Sequence, residues 1–92
     1  MPMEFRHKGL RRFWELGDTR GIPADMAKRL NRRLDDLEAA VSPADLHIPG
    51  YRLHALTGDL AGHWSIRVSG NWRLTFRFEG RRAVAVNLVD YH

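Results

Sequence analysis

Trp64-Ser65-Ile66-Arg67-Val68-Ser69-Gly70-Asn71-Trp72-Arg73-Leu74-Thr75-Phe76-Arg77-Phe78-Glu79 alternates apolar and polar side chains on both sides of Ser69-Gly70-Asn71. A period of two marks a half-buried strand, and a glycine-asparagine turn between two such runs marks a β-hairpin. Trp64, Ile66 and Val68, then Trp72, Leu74, Phe76 and Phe78, form one face. His63, Ser65, Arg67 and Ser69, then Arg73, Thr75, Arg77 and Glu79, form the other.

The pattern extends both ways. Upstream, Tyr51, Leu53 and Ala55 alternate with Arg52, His54 and Leu56, and Thr57-Gly58-Asp59 turns the chain into the hairpin. Downstream, Glu79-Gly80-Arg81 turns into Ala83-Val84-Ala85-Val86-Asn87-Leu88-Val89, a last strand with Val84, Val86 and Leu88 expected to be buried together. Short turns between consecutive strands give an antiparallel meander. The first half has a different period. Met3-Glu4-Phe5 suits a short strand, and Leu10, Phe13 and Trp14 sit at helical spacing in Lys8 to Leu16 before Gly17. From Ile22-Pro23-Ala24-Asp25 onwards, Met26, Leu30, Leu34, Leu37 and Val41 mark one stripe of a longer helix that Ser42-Pro43 ends. The expected fold class is α+β: one domain over 1–92, two N-terminal helices packed on the apolar face of an antiparallel sheet, with Trp64 and Trp72 in the core.

Composition narrows the function. The net charge is +4, and all cations but Lys8 and Lys28 are arginines. Guanidinium forks suit phosphate and stack on bases, so an anionic partner is expected, nucleic acid first. There is no cysteine, hence no disulfide and no thiolate metal site. Residues 1–16 carry charges every few positions with no apolar signal core, and no apolar stretch is long enough to cross a bilayer. The expectation is a soluble, cytoplasmic protein with no membrane partner.

The polar sheet face carries the chemistry. It presents Arg52, His54, His63, Ser65, Arg67, Arg73, Thr75 and Arg77, a surface richer in arginine than an ordinary solvated face. Arg52, Arg67 and Arg77 are candidate RNA contacts. Metal-free RNA cleavage needs a base for the ribose 2′-OH, an acid for the leaving 5′ oxygen, and cations for the growing charge on phosphorus. His54, Asp90, His92 and Arg73 supply those groups, and Tyr91 suits base stacking or proton transfer. Simple alternation, however, sets Asp90 and His92 on the side of Leu88, away from the basic face. His54, His63, His92, Asp59 and Asp90 have no spacing that resembles a metal-ligand motif. The Arg29-Arg32-Arg33 group reads as a solvated helix face paired with the acids around it.

Several blocks together resemble HigB-type toxins of the RelE/ParE superfamily: Phe5-Arg6-His7-Lys8-Gly9-Leu10, Gly17-Asp18-Thr19, Pro49 through His54, Gly58-Asp59-Leu60, Trp64 through Arg73, and Asp90-Tyr91-His92. The resemblance runs almost the full chain. It implies a compact RelE-like fold and a toxin that cuts mRNA in the ribosomal A site, leaving a 2′,3′-cyclic phosphate and a 5′-hydroxyl. No cofactor is implied. The catalytic set it implies is His54, Asp90, Tyr91 and His92, with Arg73 and Asn71 contacting phosphate or RNA. The implied partners are a HigA-type helix-turn-helix antitoxin, the 70S ribosome with A-site mRNA, and operator DNA only through the antitoxin. Two positions depart from the pattern: His54-Ala55-Leu56-Thr57 stands where related toxins often read His-Pro-Leu-Lys, and His63 stands where they tend to have tyrosine. Thr57 removes a cation near the expected site. Two other functions fit the same features: a ParE-like toxin that poisons DNA gyrase without need of the imidazoles, and an RNA- or ribosome-binding module without catalysis.

Overall fold

A computed structural model describes residues 2–91. The chain runs through helix α1 (Lys8–Leu16), helix α2 (Ala27–Ala39) and strands β1 (His54–Ala55), β2 (Trp64–Ser69), β3 (Trp72–Glu79) and β4 (Arg82–Asp90). The strands form one antiparallel sheet in the order β1-β2-β3-β4. The α+β class and the meander are as the periodicity requires.

Helix α1 starts where the His7 Nδ1 accepts the Leu10 N–H at 3.0 Å, a side-chain cap for an otherwise orphaned donor. It stops at Gly17, whose φ of 71° is left-handed and whose N–H donates to the Phe13 carbonyl at 2.9 Å. The chain then passes so close to its own beginning that a Cβ on Gly9 would lie 2.3 Å from the Gly21 carbonyl oxygen. Only a pair of glycines permits that approach. The long helix begins later than the proline suggested: Ala24–Met26 is a 3₁₀ turn, and α2 follows it. Leu30, Leu34 and Leu37 are fully buried, but Val41 is 46% exposed. Val41 is thus no part of the stripe, because α2 ends at Ala39 and the next residues are extended. The expected N-terminal strand is a single parallel bridge between Phe5 and Val86, supported by hydrogen bonds from Arg6 N–H to Val86 O and from Val86 N–H to Glu4 O.

The core lies between the helices and one sheet face, with Leu10, Leu30, Leu34, Leu46, Ile66, Leu74, Phe76 and Val86 at its centre. Trp14, Trp64 and Trp72 are partly buried against it.

Three local slips modify the simple alternation. Between Arg67 and Ser69 the β2–β3 register shifts by one, so Ser69 pairs with Trp72. Ser69 therefore lies on the helix side, not on the polar face, and its hydroxyl accepts Arg29 Nη1 at 2.8 Å. Between Thr75 and Arg77 the β3–β4 register shifts again, so that Thr75 pairs with Asn87 but Arg77 pairs with Val84. The extra residue is on β4, where Ala85 has a φ of 53°. Val84 is consequently moved off the side of Val86 and Leu88 and onto the face of Arg77. In the third slip, Tyr51 O accepts the Arg67 N–H at 2.6 Å, one residue out of step with the His54–Ser65 pair, and Arg52 between them has a φ of 50°. Only His54–Ala55 of the expected Tyr51–Leu56 strand is regular β structure.

Candidate active site on the polar sheet face

Register turns the polar face into rows. His54 pairs with Ser65, Ser65 with Thr75, and Thr75 with Asn87, so one row crosses all four strands. The next row holds Arg67, Arg73 and Val89. Directly paired residues share a face, which brings His54, Arg67 and Arg73 to the same side of the sheet. His54 and Arg73 are two strands apart, roughly 10 Å across the sheet. Arg67, on the strand between them, adds a second guanidinium group to the same stretch of the face.

The end of β4 adds to this group. The Tyr91 N–H donates to the Asn71 carbonyl at 2.9 Å, tying the last described residue to the β2–β3 turn. Its ring lies 6.0 Å from the Arg73 guanidinium, a cation–π contact. Arg73 Nη1 is buried with no hydrogen-bond partner among the described residues. A buried donor without an acceptor costs about 1–3 kcal/mol, so an anionic oxygen is favoured at this spot. Ser65 Oγ and His63 Nδ1 share that condition.

The site residues expected from sequence separate into groups. His54, Arg67, Arg73 and Tyr91 converge on one face; Asn71 is exposed at the turn beside Tyr91. Arg77 lies on the same face but pairs with Glu79 at 3.3 Å, at the far end of β3. Arg52 is exposed in the slip before β1, outside the strand that was to align it. Asp90 pairs with Trp72, the helix-side row, as the alternation implied. His92 lies outside the described residues.

Two features escaped the sequence reading. The polar face is not an open solvated surface, because Ser65 is 0% and Thr75 3% exposed beneath half-buried arginines. Asn87, placed by the alternation in an apolar strand, completes the row from His54. Register could not be counted through the bulge, and nothing in the residue types signalled it. Among the described residues no group of three or more His, Asp or Glu side chains is placed to hold a metal ion, and no helix is long and apolar enough to cross a membrane.

Known proteins resemble this chain in sequence and in fold. The family described as RelE-like toxin of type II toxin–antitoxin system HigB matches residues 3–92. The chain is similar to Endoribonuclease HigB of Proteus vulgaris, 44% identical over 92 residues that cover all of both chains. It is 42% identical over 81 residues to Toxin HigB-1 of Vibrio cholerae serotype O1, covering 85% of this chain and 84% of the other. Among solved structures, a YoeB/ParE toxin from Agrobacterium tumefaciens superposes over the whole of both chains with a TM-score of 0.65 at 19% identity. The YoeB-YefM complex from Staphylococcus aureus gives 0.62 at 15%, covering 100% of this chain and 97% of that one. These last two share the fold. The chain belongs to the HigB family of RelE-like toxins, the toxin half of a type II toxin–antitoxin pair.

Proposed function

We propose that the protein is a ribosome-dependent endoribonuclease that cuts mRNA in the A site. The observation that carries this reading is Arg73, whose Nη1 is buried without an acceptor on the same face as His54 and against Tyr91. The name borne by the Proteus vulgaris relative supports the reaction class.

In this mechanism His54 takes the proton from the 2′-OH, and the 2′ oxygen attacks phosphorus. The bond from phosphorus to the 5′ oxygen breaks, leaving a 2′,3′-cyclic phosphate on one fragment and a protonated 5′ oxygen on the other. Arg73, with Arg67 beside it, stabilises the charge that grows on the non-bridging oxygens. Tyr91 and His92 supply the proton to the leaving oxygen. Asp90 faces the Trp72 row, so its role is to position these last residues rather than to exchange protons with RNA. Asn71, at the turn, contacts the nucleotide that Tyr91 stacks upon. Arg52 and Arg77 are outer RNA contacts. The groups named here need no metal ion. The partner that silences the toxin is a HigA-type antitoxin with a helix-turn-helix domain.

The test is inducible expression without antitoxin, with cleavage mapped on ribosome-bound messages. His54→Gln and Arg73→Ala are expected to relieve growth arrest and abolish cut sites. Undiminished toxicity in both variants would overturn the assignment, and loss of supercoiling activity without cut RNA would turn it to gyrase.

A further inference from the structure

Ser65 is an odd residue for its place. Strand β2 is covered on both sides there, with Ser65 0% exposed on the polar face and Ile66 0% exposed on the helix side. A strand covered on both faces ordinarily reads as a continuous apolar run. A hydroxyl shut away from solvent gives up its hydrogen bonds to water and needs a partner inside the protein. Among the described residues Ser65 Oγ has none. Alanine would fill the place without that penalty, so the oxygen does not serve packing.

Two other buried polar atoms on this face are also unmatched, His63 Nδ1 and Arg73 Nη1. Register decides which of them Ser65 can serve. Ser65 pairs with Thr75 and Arg67 pairs with Arg73, so Ser65 and Arg73 are diagonal neighbours on one side of the sheet. Diagonal positions lie about 7–8 Å apart, a gap that an arginine side chain spans. His63 stands two residues before Ser65, on the side away from the row of Arg73. A hydroxyl oxygen accepts what a guanidinium donates, so each group is the kind of partner the other lacks.

Charge points the same way. Arg73 faces Arg67 directly across the two strands, and like charges so placed push apart. Glu79, the acid at the end of this face, is occupied by Arg77 and Arg82. A neutral oxygen can hold Arg73 without cancelling the positive charge that a phosphate needs. Nη1 carries two protons, so one can be held inward while the other stays free for an anionic oxygen. Ser65 lies beneath the half-buried arginines, and its effect on a reaction therefore passes through the guanidinium.

We infer that Ser65 is a positioning residue for Arg73. A rotation of the arginine side chain seats one Nη1 proton on the Ser65 oxygen and leaves the other for the phosphodiester. The consequence for cleavage rests on the proposed ribonuclease reading; the contact itself does not.

The test joins a spectroscopic readout to a kinetic one. Heteronuclear NMR of the full-length toxin follows the arginine guanidinium protons, with the Arg73 signals assigned by their loss in Arg73→Lys. A held guanidinium rotates slowly and shows separate Nη signals, whereas a free one averages them. Wild type is expected to show them separately and Ser65→Ala to average them. Ser65→Cys, which fills the space with a weak acceptor, is expected to behave like Ser65→Ala, and thermal melts check that each variant is folded. On ribosome-bound message, Ser65→Ala is expected to slow the maximal cleavage rate by about 10–100-fold at an unchanged half-saturating concentration. Arg73 signals that are the same in wild type and both variants overturn the inference, whatever the melting temperatures. A Ser65→Ala variant that cuts at the wild-type rate overturns it as well. A wild type that cuts no message refutes the ribonuclease reading, and the Arg73 signals still decide the contact.

Discussion

The Arg33 guanidinium lies over the Tyr51 ring while its Nε completes the hydrogen bonding of the Arg67 carbonyl, joining helix α2 to the edge of the sheet. Arg33→Ala leaves that carbonyl without its partner and removes the ring contact. Together these should lower the unfolding free energy by about 2 kcal/mol, measured by urea denaturation. Arg33→Lys keeps the charge without the fork and should recover only part of the loss. An unchanged midpoint in Arg33→Ala would show the contact to be idle.

Tyr51 makes stability sensitive to base. Burial, with the hydrogen bond its hydroxyl donates to Asp36, pushes its pKa up to about 12 from 10.0. The unfolded chain therefore loses this proton first. The stabilisation is complete below pH 10 and disappears as pH rises from 10 to 12. Two pKa units correspond to roughly 3 kcal/mol at most. Tyr51→Phe should flatten the stability curve across that window, as followed by thermal melts; a curve that stays as steep assigns the effect elsewhere.

Asp18 works at the other end of the scale. Hydrogen bonds from Arg20, side chain first and then backbone, hold its pKa down to about 2. Its contribution is present above about pH 4 and is lost as pH falls toward 2. Asp18→Asn should remove that part of the acid dependence, and because the pair is exposed the change is small. Melts between pH 2 and 5 on both proteins test this.

Gly9 and Gly21 leave no room for a methyl group. A Cβ on Gly21 would lie 2.5 Å from the Gly9 Cα, and backbone cannot yield as a flexible side chain would. Either Gly→Ala substitution should destabilise the fold by about 1–3 kcal/mol, read as a lower melting temperature. A melting temperature at or above wild type would mean that the two segments separate freely.

Tyr91 offers a split between ring and hydroxyl. Tyr91→Phe retains the ring over Arg73, whereas Tyr91→Ala removes both ring and hydroxyl. If the hydroxyl moves a proton, the Phe variant should lose cleavage rate by about 100-fold; if the ring only stacks, the Ala variant alone should suffer. Single-turnover cleavage of ribosome-bound message distinguishes the two, and full activity in both variants removes Tyr91 from the site.

The periodicities made the helices, the hairpin and the sheet order readable, because each element buries a continuous apolar set. The three slips were hidden for a physical reason. Ala83-Val84-Ala85-Val86 is apolar throughout, so inserting one residue leaves no break in the pattern. Ser69 is small enough to suit either side of the sheet. Arg52 has no glycine's freedom and still takes a left-handed backbone. The candidate site suffered accordingly: alternation sets His54, Arg67 and Arg73 on the face where the register has them, while Arg52 and Val84 were beyond its reach. The pairing expected of Arg29, Arg32 and Arg33 is also absent: among the described residues none of the three makes an ion pair, although Asp35 and Asp36 lie one turn along the helix from Arg32.

Ala85 gives β4 one residue more than β3 matches, and that surplus is what lets Val84 and Tyr91 look the same way from opposite ends of the strand. The orientation of the strand's final side chains is thus a matter of odd and even counting. Lengthening or shortening β4 by one residue would exchange Asp90 and Tyr91 between the two faces while leaving every side chain chemically intact, whereas a change of two would restore the original assignment. An insertion or deletion past the bulge therefore keeps Tyr91 beside Arg73 only when it adds or removes residues in pairs.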